Sequence, residues 1–380
     1  MTGAAWEYIA VFAASLAIAF VITPFAVKLA EHRGILDHPG ANKAHDSPVP
    51  YLGGVAMVVA LSLAVMVAAL ARPPRSGSEE LVVVLGMAIG LSVVGLLDDL
   101  RGLGPLVRVL VEAAAGVGLW AVEAGVELTG SSVGDLLLTV VWVVGITNAF
   151  NLLDNMDGLS AGVAAITAGA CFVIAVANGQ FLIGGLSAAL AGCALGFLRH
   201  NFHPARIYMG DAGSLYLGFL LSYLSIKLRF DAPEDITFLV PILLLSVPIL
   251  DTTLVTVSRL LHGRNPLRGG QDHISHRLVH LGLPVRGAVG AIYVAAVGVG
   301  LVALVVSRVD RTSAYVLAGL VVGAGAVIAF ALGRVRVYES SSRPRRRSGK
   351  GPGVQSGHAG ARVVRRDAPV GRRRRSVRSD

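Results

Sequence analysis

Three carboxylates stand where apolar segments end or begin, a position that is costly for a charge unless a cation or water balances it. Asp98 and Asp99 end a nearly uncharged segment, and Asp211 lies between Gly210 and Gly213 just before another. Adjacent acids at a helix C-terminus oppose the helix dipole, so a solvated helix end explains the pair poorly. The glycines suit either a close ligand approach or an ordinary loop. We predict a divalent metal at these acids.

A second polar series closes a different apolar segment. Asn148, Asn151, Asp154 and Asp157 recur at three-residue intervals. On a helix this spacing gives a slanted stripe in which Asp154 and Asp157 are neighbours. Hydrogen bonding between helices is an alternative role for the two Asn residues, but it suits the two acids poorly.

The ligand types indicate which metal is expected. Acids spread over separate segments, without clustered cysteines or regularly spaced histidines, favour magnesium, or manganese in its place, over zinc. Magnesium takes only one or two protein carboxylates along with waters and substrate phosphates, so not all five acids are predicted ligands. Cys171 and Cys193 lie in apolar segments and indicate neither a disulfide nor a zinc site.

Basic residues supply the other half of a phosphate site. The candidates are Lys43, His45, Arg108, His273, His276 and Arg277. A histidine-rich segment is also typical of a hydrated surface, and only its combination with the acidic segments favours phosphate. Asp251 lies roughly two turns inside an apolar segment, where it is either functional or part of a structural helix pair.

The composition requires lipid as a solvent for these segments. Of 380 residues, 54% are hydrophobic and 15% are charged, which is more apolar surface than one soluble core buries. Apolar segments of roughly the 20 residues that cross a bilayer recur along the chain. They predict an all-α polytopic transmembrane bundle of about eleven spans. Their limits are 4–27, 50–71, 80–97, 105–126, 135–151, 158–178, 180–199, 213–230, 236–258, 288–307 and 312–332.

The charges of the connecting segments predict the orientation. Basic residues concentrate in alternate connections and at the C-terminal end, which places the N-terminus outside and the C-terminus in the cytoplasm. The first span lacks the features of a cleaved signal peptide. With this parity all the polar clusters fall at cytoplasmic span ends, so distant segments can converge on one face of a cell membrane.

The net charge of +9 belongs to the end of the chain. From Gly333 onward there are 15 Lys and Arg residues against 3 acids, so residues 1–332 are slightly acidic. We therefore divide the chain into a transmembrane domain, 1–332, and a basic tail, 333–380, whose Gly, Pro and Ser content predicts disorder. A lipid bilayer, and not nucleic acid, is the predicted partner of this charge. A homodimer is compatible with the sequence.

Five ordered motifs resemble those of the polyprenyl-phosphate N-acetylhexosamine-1-phosphate transferases. The string Asn148 to Gly162 resembles their Asp-x-x-Asp-Gly-Leu signature. The others are the segment 45–54, the pair Asp98 and Asp99, the loop 209–214 and the segment 272–277, which resembles a histidine loop. The sequence departs from the pattern at Gly102, where a third Asp is common, at Asn155, where Gly is expected, and at Ser275, where many members have His.

The resemblance implies roles for these residues. Asp211 would be the main magnesium ligand, with Asp99 and Asp98 near the metal and the lipid phosphate. Asp154 and Asp157 would lie beside the nucleotide, and Tyr208 would stack on uracil. Asn148 and Asn151 would bind substrate. Phosphates or the sugar would be held by Lys43, His45, Arg108, His273, His276 and Arg277.

The implied reaction is transfer of a hexosamine-1-phosphate, above all N-acetylglucosamine-1-phosphate, from a UDP-sugar to undecaprenyl or another polyprenyl phosphate, with release of UMP. Direct attack by the lipid phosphate is favoured, and a covalent aspartyl route stays open. Two rivals are a phospho-N-acetylmuramyl-pentapeptide transferase and a secondary transporter, although a transporter places its acids nearer the membrane midplane.

Overall fold

The computed structural model describes residues 4–38, 47–73, 76–230, 234–266 and 269–338. Its helices are α1 Ala5–Arg33, α2 Gly53–Ala71, α3 Ser78–Arg101, α4 Pro105–Ala121, α5 Ser132–Leu153, α6 Leu159–Ala177, α7 Phe181–Asn201, α8 Gly210–Lys227, α9 Glu234–Thr237, α10 Leu239–Leu244, α11 Ser246–Leu261, α12 Ile274–His280, α13 Val285–Val306 and α14 Arg311–Gly333.

Most of these helices suit a lipid environment. Within the described residues, eight are long and apolar enough to cross a membrane, namely α1, α2, α3, α5, α6, α7, α13 and α14. Large apolar side chains face outward, and Leu320, Val322 and Phe330 of α14 are each about two-thirds exposed. Such a surface is stable only against lipid. The chain is a helical polytopic membrane protein, as predicted, whereas the count of eleven spans and their orientation stay predictions.

Helices α7 and α8 form the centre of the bundle. Every residue of α8 from Ala212 to Ile226 is buried. Helices α3 and α5 pack against α8, and α1 and α6 pack against α7. Gly95 of α3 allows a close approach, because a Cβ atom there would lie 2.5 Å from the backbone of Asp211. The end of α3 and the beginning of α8 are thereby held together.

The predicted span 236–258 is broken into α9, α10 and α11, which corrects the expectation of one continuous helix. Proline lacks an N–H and clashes with the carbonyl four residues earlier. Pro241 therefore ends α9 at Thr237, and Pro248 ends α10 at Leu244. The freed Leu244 carbonyl accepts a hydrogen bond from Thr167 Oγ1 at 3.4 Å.

A short antiparallel strand pair departs from the all-α expectation. Strand β1, Leu36–Asp37, pairs with β2, Val49–Pro50, in the register Leu36 to Pro50. The Tyr208 N–H donates to the Pro50 carbonyl at 2.8 Å, and the Gly53 N–H donates to the Tyr208 carbonyl at 3.0 Å. The strand pair is therefore tied to the segment that leads into α8.

The helical body continues past the predicted domain boundary at residue 332 and ends at Tyr338. Arg277 Nη1 lies 3.3 Å from the Val335 carbonyl, and the Tyr338 hydroxyl donates to Asp272 Oδ2 at 2.6 Å. Residues 339–380, which include most of the predicted tail, lie outside the described residues.

Candidate active site

A polar cavity of about 1040 Å³ opens where the ends of several helices meet. The end of α3, the connection between α5 and α6, the beginning of α8, strand β2 and helix α12 all contribute to its wall. The polar residues of the wall are Asp37, Ser47, Tyr51, Asp99, Asn151, Asp154, Asn155, Asp157, Asn201, His203, Tyr208, Asp211, Gln271, His276 and His280. The cavity therefore collects residues from every motif region that the structure describes.

Asp99 and Asp211 meet at the first turn of α8. Asp99 Oδ1 accepts the Asp211 N–H at 3.0 Å, and Asp99 Oδ2 accepts the Ala212 N–H at 3.3 Å. Helix N-terminal N–H groups have no partner within their helix, so this carboxylate caps α8. Gly210 has a φ of +65°, a left-handed conformation that favours glycine, and a Cβ there would lie 2.5 Å from Asp99 Oδ2.

The Asp211 carboxylate is held from two sides. Asn151 Nδ2 donates to Asp211 Oδ1 at 2.7 Å, and Arg108 Nη1 contacts Asp211 Oδ2. The same Arg108 nitrogen lies 3.1 Å from Asp98 Oδ2, and the Gly104 N–H donates to Asp98 Oδ1 at 3.2 Å. Arg108 thus joins two of the predicted acids, while Asp98 lies behind the cavity wall and not on it.

The connection between α5 and α6 brings two further acids to the wall. Burial, followed by the charges of Asp211, Asp99 and Asp157, raises the pKa of Asp154 to about 8. Asp157 Oδ2 lies 2.8 Å from His203 Nδ1 and accepts the Ala205 N–H at 3.0 Å. With a pKa of about 8, Asp154 is mostly protonated near pH 7 unless a cation lies close to it.

Asn148 faces away from the cavity. Its amide nitrogen contacts the Glu112 carboxylate and donates to the Val144 carbonyl at 2.9 Å. Glu112 is fully buried, and its Oε1 atom has no hydrogen-bond partner among the described residues. The direct substrate contact predicted for Asn148 is not supported by this placement.

Tyr208 lies on the wall of the cavity. Burial, with the nearby charge of Asp157, raises the pKa of its hydroxyl. Its backbone is fixed to β2 and to Gly53, the first residue of α2. The stacking on a base that the resemblance implies for Tyr208 stays a prediction.

The predicted histidine loop is held by buried ion pairs. Arg259 Nη2 lies 2.6 Å from Asp272 Oδ1, and both side chains are buried. His273 Nδ1 lies 2.7 Å from Asp251 Oδ2, and Asp251 Oδ1 accepts the Ile274 N–H at 2.7 Å. Asp251 therefore caps α12 from α11, so the structure favours the structural interpretation of this acid.

His273 and Arg277 do not reach the cavity. Arg277 is fully buried and donates to the Asp272 carbonyl at 2.7 Å, the Leu332 carbonyl at 2.8 Å and Ser258 Oγ at 3.0 Å. The direct contacts with phosphate or sugar predicted for His273 and Arg277 are not supported, because both side chains already have buried partners.

His276 is the residue of this loop that lies on the wall. Burial, followed by the neighbouring His273, lowers the pKa of His276 to about 4. The imidazole is therefore neutral near pH 7 and acts as a hydrogen-bonding group. Lys43 and His45 lie outside the described residues.

The wall fits a hard divalent cation. Among the described residues, no three His, Cys, Asp or Glu side chains form a group that would hold an ion. Magnesium, however, needs only one or two carboxylates when phosphates complete its coordination. Asp99 and Asp211 supply two on one wall, and a cation there would relieve the repulsion that raises the pKa of Asp154.

Three residues of this region were given no role from the sequence. Glu112 was detectable, because an acid inside an apolar span is a functional signal. Asn155 stood out only as a departure from the family pattern. His203 contacts Asp157 across the loop before α8, and no local pattern indicated that contact.

The chain resembles known proteins over most of its length. Residues 81–229 match the model of glycosyl transferase family 4. A probable undecaprenyl-phosphate N-acetylglucosaminyl 1-phosphate transferase of Bacillus subtilis is 36% identical over 293 residues, which cover 74% of this chain and 80% of that protein. A decaprenyl-phosphate N-acetylglucosaminephosphotransferase of Mycolicibacterium smegmatis is 35% identical over 315 residues, 72% of this chain and 77% of that protein.

A different activity is named for another relative. A phospho-N-acetylmuramoyl-pentapeptide-transferase of Bacillus velezensis is 31% identical over 227 residues, which cover 54% of this chain and 69% of that protein. The similarity to this relative extends over less of the chain.

Proposed function

Since the chain belongs to glycosyl transferase family 4, among the polyprenyl-phosphate N-acetylglucosamine-1-phosphate transferases, we propose that it transfers N-acetylglucosamine-1-phosphate from a UDP-sugar to undecaprenyl phosphate or a related polyprenyl phosphate. UMP is the second product, and the reaction is the first membrane step in building a cell-envelope polysaccharide. The observation that carries the proposal is the single polar cavity to which all the described motif regions contribute.

The cavity suits a donor with a nucleotide, two phosphates and a sugar. Its volume of about 1040 Å³ is at the upper end of the range for small-molecule sites. Acids line the side formed by α3, α8 and the connection between α5 and α6, and His276 and His280 of α12 also line the cavity. A metal-bridged phosphate on the acidic side and a sugar facing the histidines would use both.

We place magnesium, or manganese, at Asp211 and Asp99, with Asp154 nearby. When bound, the cation would neutralise charge on the phosphate oxygens and stabilise the leaving UMP. Arg108, which already contacts Asp211 and Asp98, is positioned to exchange a carboxylate for the incoming lipid phosphate.

The transfer itself needs little from the protein. An oxygen of the lipid phosphate attacks the sugar-bound phosphorus, the bond from that phosphorus to the bridging oxygen breaks, and UMP leaves with that oxygen. A phosphate dianion is nucleophilic without a strong base. Both oxygens of Asp99 accept backbone N–H groups, which supports a positioning role for Asp99 and direct transfer over an aspartyl intermediate.

The donor is tested with purified protein, undecaprenyl phosphate and a panel of UDP-sugars, with UMP release as the signal. UDP-N-acetylglucosamine is expected to exceed UDP-N-acetylmuramyl-pentapeptide clearly. The reverse order would assign the chain to the muramyl branch. Movement of labelled substrate across vesicles without UMP would instead indicate a transporter.

We place the cavity on the cytoplasmic face of the plasma membrane, where nucleotide sugars occur. The charge distribution of the connections supports this orientation. A tag after Asp380 should then be accessible only from the cytoplasm, and a tag at the N-terminus only from outside. Accessibility of both tags from one side would contradict it.

A further inference from the structure

Asn155 and Ser275 connect two walls of the cavity that are far apart in the sequence. Ser275 Oγ donates to Asn155 Oδ1 at 2.6 Å, and Ser275 is 1% exposed. Asn155 Nδ2 in turn donates to the Leu152 carbonyl at 2.7 Å. Both ends of the Asn155 amide are therefore engaged, which fixes its orientation between the end of α5 and helix α12.

The same pair of segments holds His276. His276 directly follows Ser275 in α12, and both Asn155 and His276 line the cavity. Ser275 is not part of the wall, so it affects the cavity only through these neighbours. The Ser275–Asn155 side-chain bond therefore holds the segment that carries His276 against the acidic connection between α5 and α6.

Both members of the pair are positions where this sequence departs from the pattern it resembles, with Asn155 for Gly and Ser275 for His. The changes compensate in volume, because a large residue on the loop meets a small one on the helix. They also compensate in hydrogen bonding, since the added amide oxygen accepts the hydroxyl that replaces an imidazole. Contacting residues of this kind have coupled effects when substituted.

We infer that Asn155 and Ser275 form a positioning pair that sets the place of His276 against the sugar-phosphate part of the donor. The inference rests on the proposed function, because it assigns the pair to the donor and not to the lipid phosphate. Within the described part of the chain, Arg108, Asp98 and Asp211 form no hydrogen bond or ion pair with either residue, and we expect them to serve the acceptor and the metal independently.

The test is an exchange of the pair. Asn155→Gly and Ser275→His, alone and together, are compared for UMP release at varied UDP-N-acetylglucosamine and varied undecaprenyl phosphate. Each single variant is expected to raise the KM for the donor about fivefold to tenfold, because it removes one buried hydrogen bond. The double variant should return to within about twofold of wild type, while the KM for the lipid stays constant.

A second double-mutant cycle is used if the Ser275→His variant does not fold. Asn155→Ala and Ser275→Ala each remove the same bond, so the double variant should be no worse than the poorer single one. Asn178→Ala and Ser222→Ala provide the matched control, since each removes only a bond to a backbone carbonyl of its own helix and neither lines the cavity.

The possible outcomes distinguish a failure of the proposed pair from a failure of the proposed function. Additive losses in both cycles, or a rise in the KM for the lipid equal to that for the donor, would overturn the pair. Calorimetric binding of UDP-N-acetylglucosamine to the same purified variants gives a readout that does not need turnover. A wild-type protein that releases no UMP from any UDP-sugar would refute the proposed function itself.

Discussion

Asp99 at the end of α3 accepts the backbone N–H of Asp211 at the beginning of α8, with 3.0 Å between the nitrogen and the oxygen. The two carboxylates therefore cannot move apart without uncapping α8. This bond explains how two acids more than a hundred residues apart in the chain share one wall. The donor is the backbone of Asp211, so a substitution of the Asp211 side chain leaves the bond in place.

Asp211→Asn is expected to lower UMP release about 10³-fold, because it removes the charge of the proposed metal ligand while keeping the size of the side chain. The variant should extract as a monodisperse protein, since a neutral group at this boundary has a lower desolvation cost. Asp310→Asn is the control, because Asp310 caps the beginning of α14 and does not line the cavity. Near-normal release by Asp211→Asn at saturating magnesium would refute the metal site.

Magnesium itself is expected to stabilise the folded protein. A cation that binds only the folded state raises the apparent Tm with concentration, and we expect a rise of roughly 2 °C or more for the wild type. Asp211→Asn should show no such rise. Thermal unfolding in detergent, with and without a chelator, measures both, and an equal rise in the two proteins would assign the effect to other sites.

Gly95→Ala is expected to lower stability by about 1–3 kcal/mol and to reduce transfer, because the added methyl group overlaps the Asp211 backbone. Gly90→Ala is the matched control, as a Cβ at that position on the same helix meets no atom within 4 Å. Denaturation midpoints and UMP release are compared for the two variants. Equal behaviour would show that α3 and α8 tolerate separation.

His276 is expected to contribute a loss of stability as the pH falls below about 6.5. Burial and His273 lower the pKa of His276 from 6.5 to about 4, so between these values the unfolded chain binds more protons than the folded one. The titration of His276 lowers the free energy of unfolding by at most about 3 kcal/mol. His276→Gln should lose less apparent Tm than wild type between pH 7.5 and pH 5, whereas the exposed His32→Gln should match wild type.

A chain that ends at Tyr338 is expected to keep the turnover and the stability of the full chain in detergent. A chain that ends at Arg336 should lose about 1–2 kcal/mol of stability, since it lacks the Tyr338 hydroxyl on Asp272 and the ring that stacks 4.2 Å from the Arg264 guanidinium. Tyr338→Phe isolates the hydroxyl. Loss of turnover in the chain ending at Tyr338 would show that the basic segment has an essential role.

The long helices could be predicted from the sequence, because the length of an apolar segment and the polar residues that end it are local properties. Pro241 and Pro248 are also visible in the sequence, but the prediction of one span over 236–258 did not take them into account. The mean hydropathy of a segment does not register that a proline lacks an N–H, so the breaks in the helix were not predicted. The acids of the wall could be identified by their cost in lipid. The partners of Arg277 and His273 could not, because carbonyls and carboxylates from α14 and α11 reach them only in three dimensions.

The Arg277 guanidinium donates to the Leu332 carbonyl at the end of α14, and α12 precedes α14 in the chain. During synthesis α12 therefore leaves the ribosome while this acceptor is still untranslated. Before α14 is made, Arg277 has the Asp272 carbonyl and Ser258 Oγ but lacks the Leu332 carbonyl, so we expect the segment that carries His276 to reach its final packing only after the last helix has been made. We therefore expect a chain that stops before Leu332 to have an incompletely packed cavity wall.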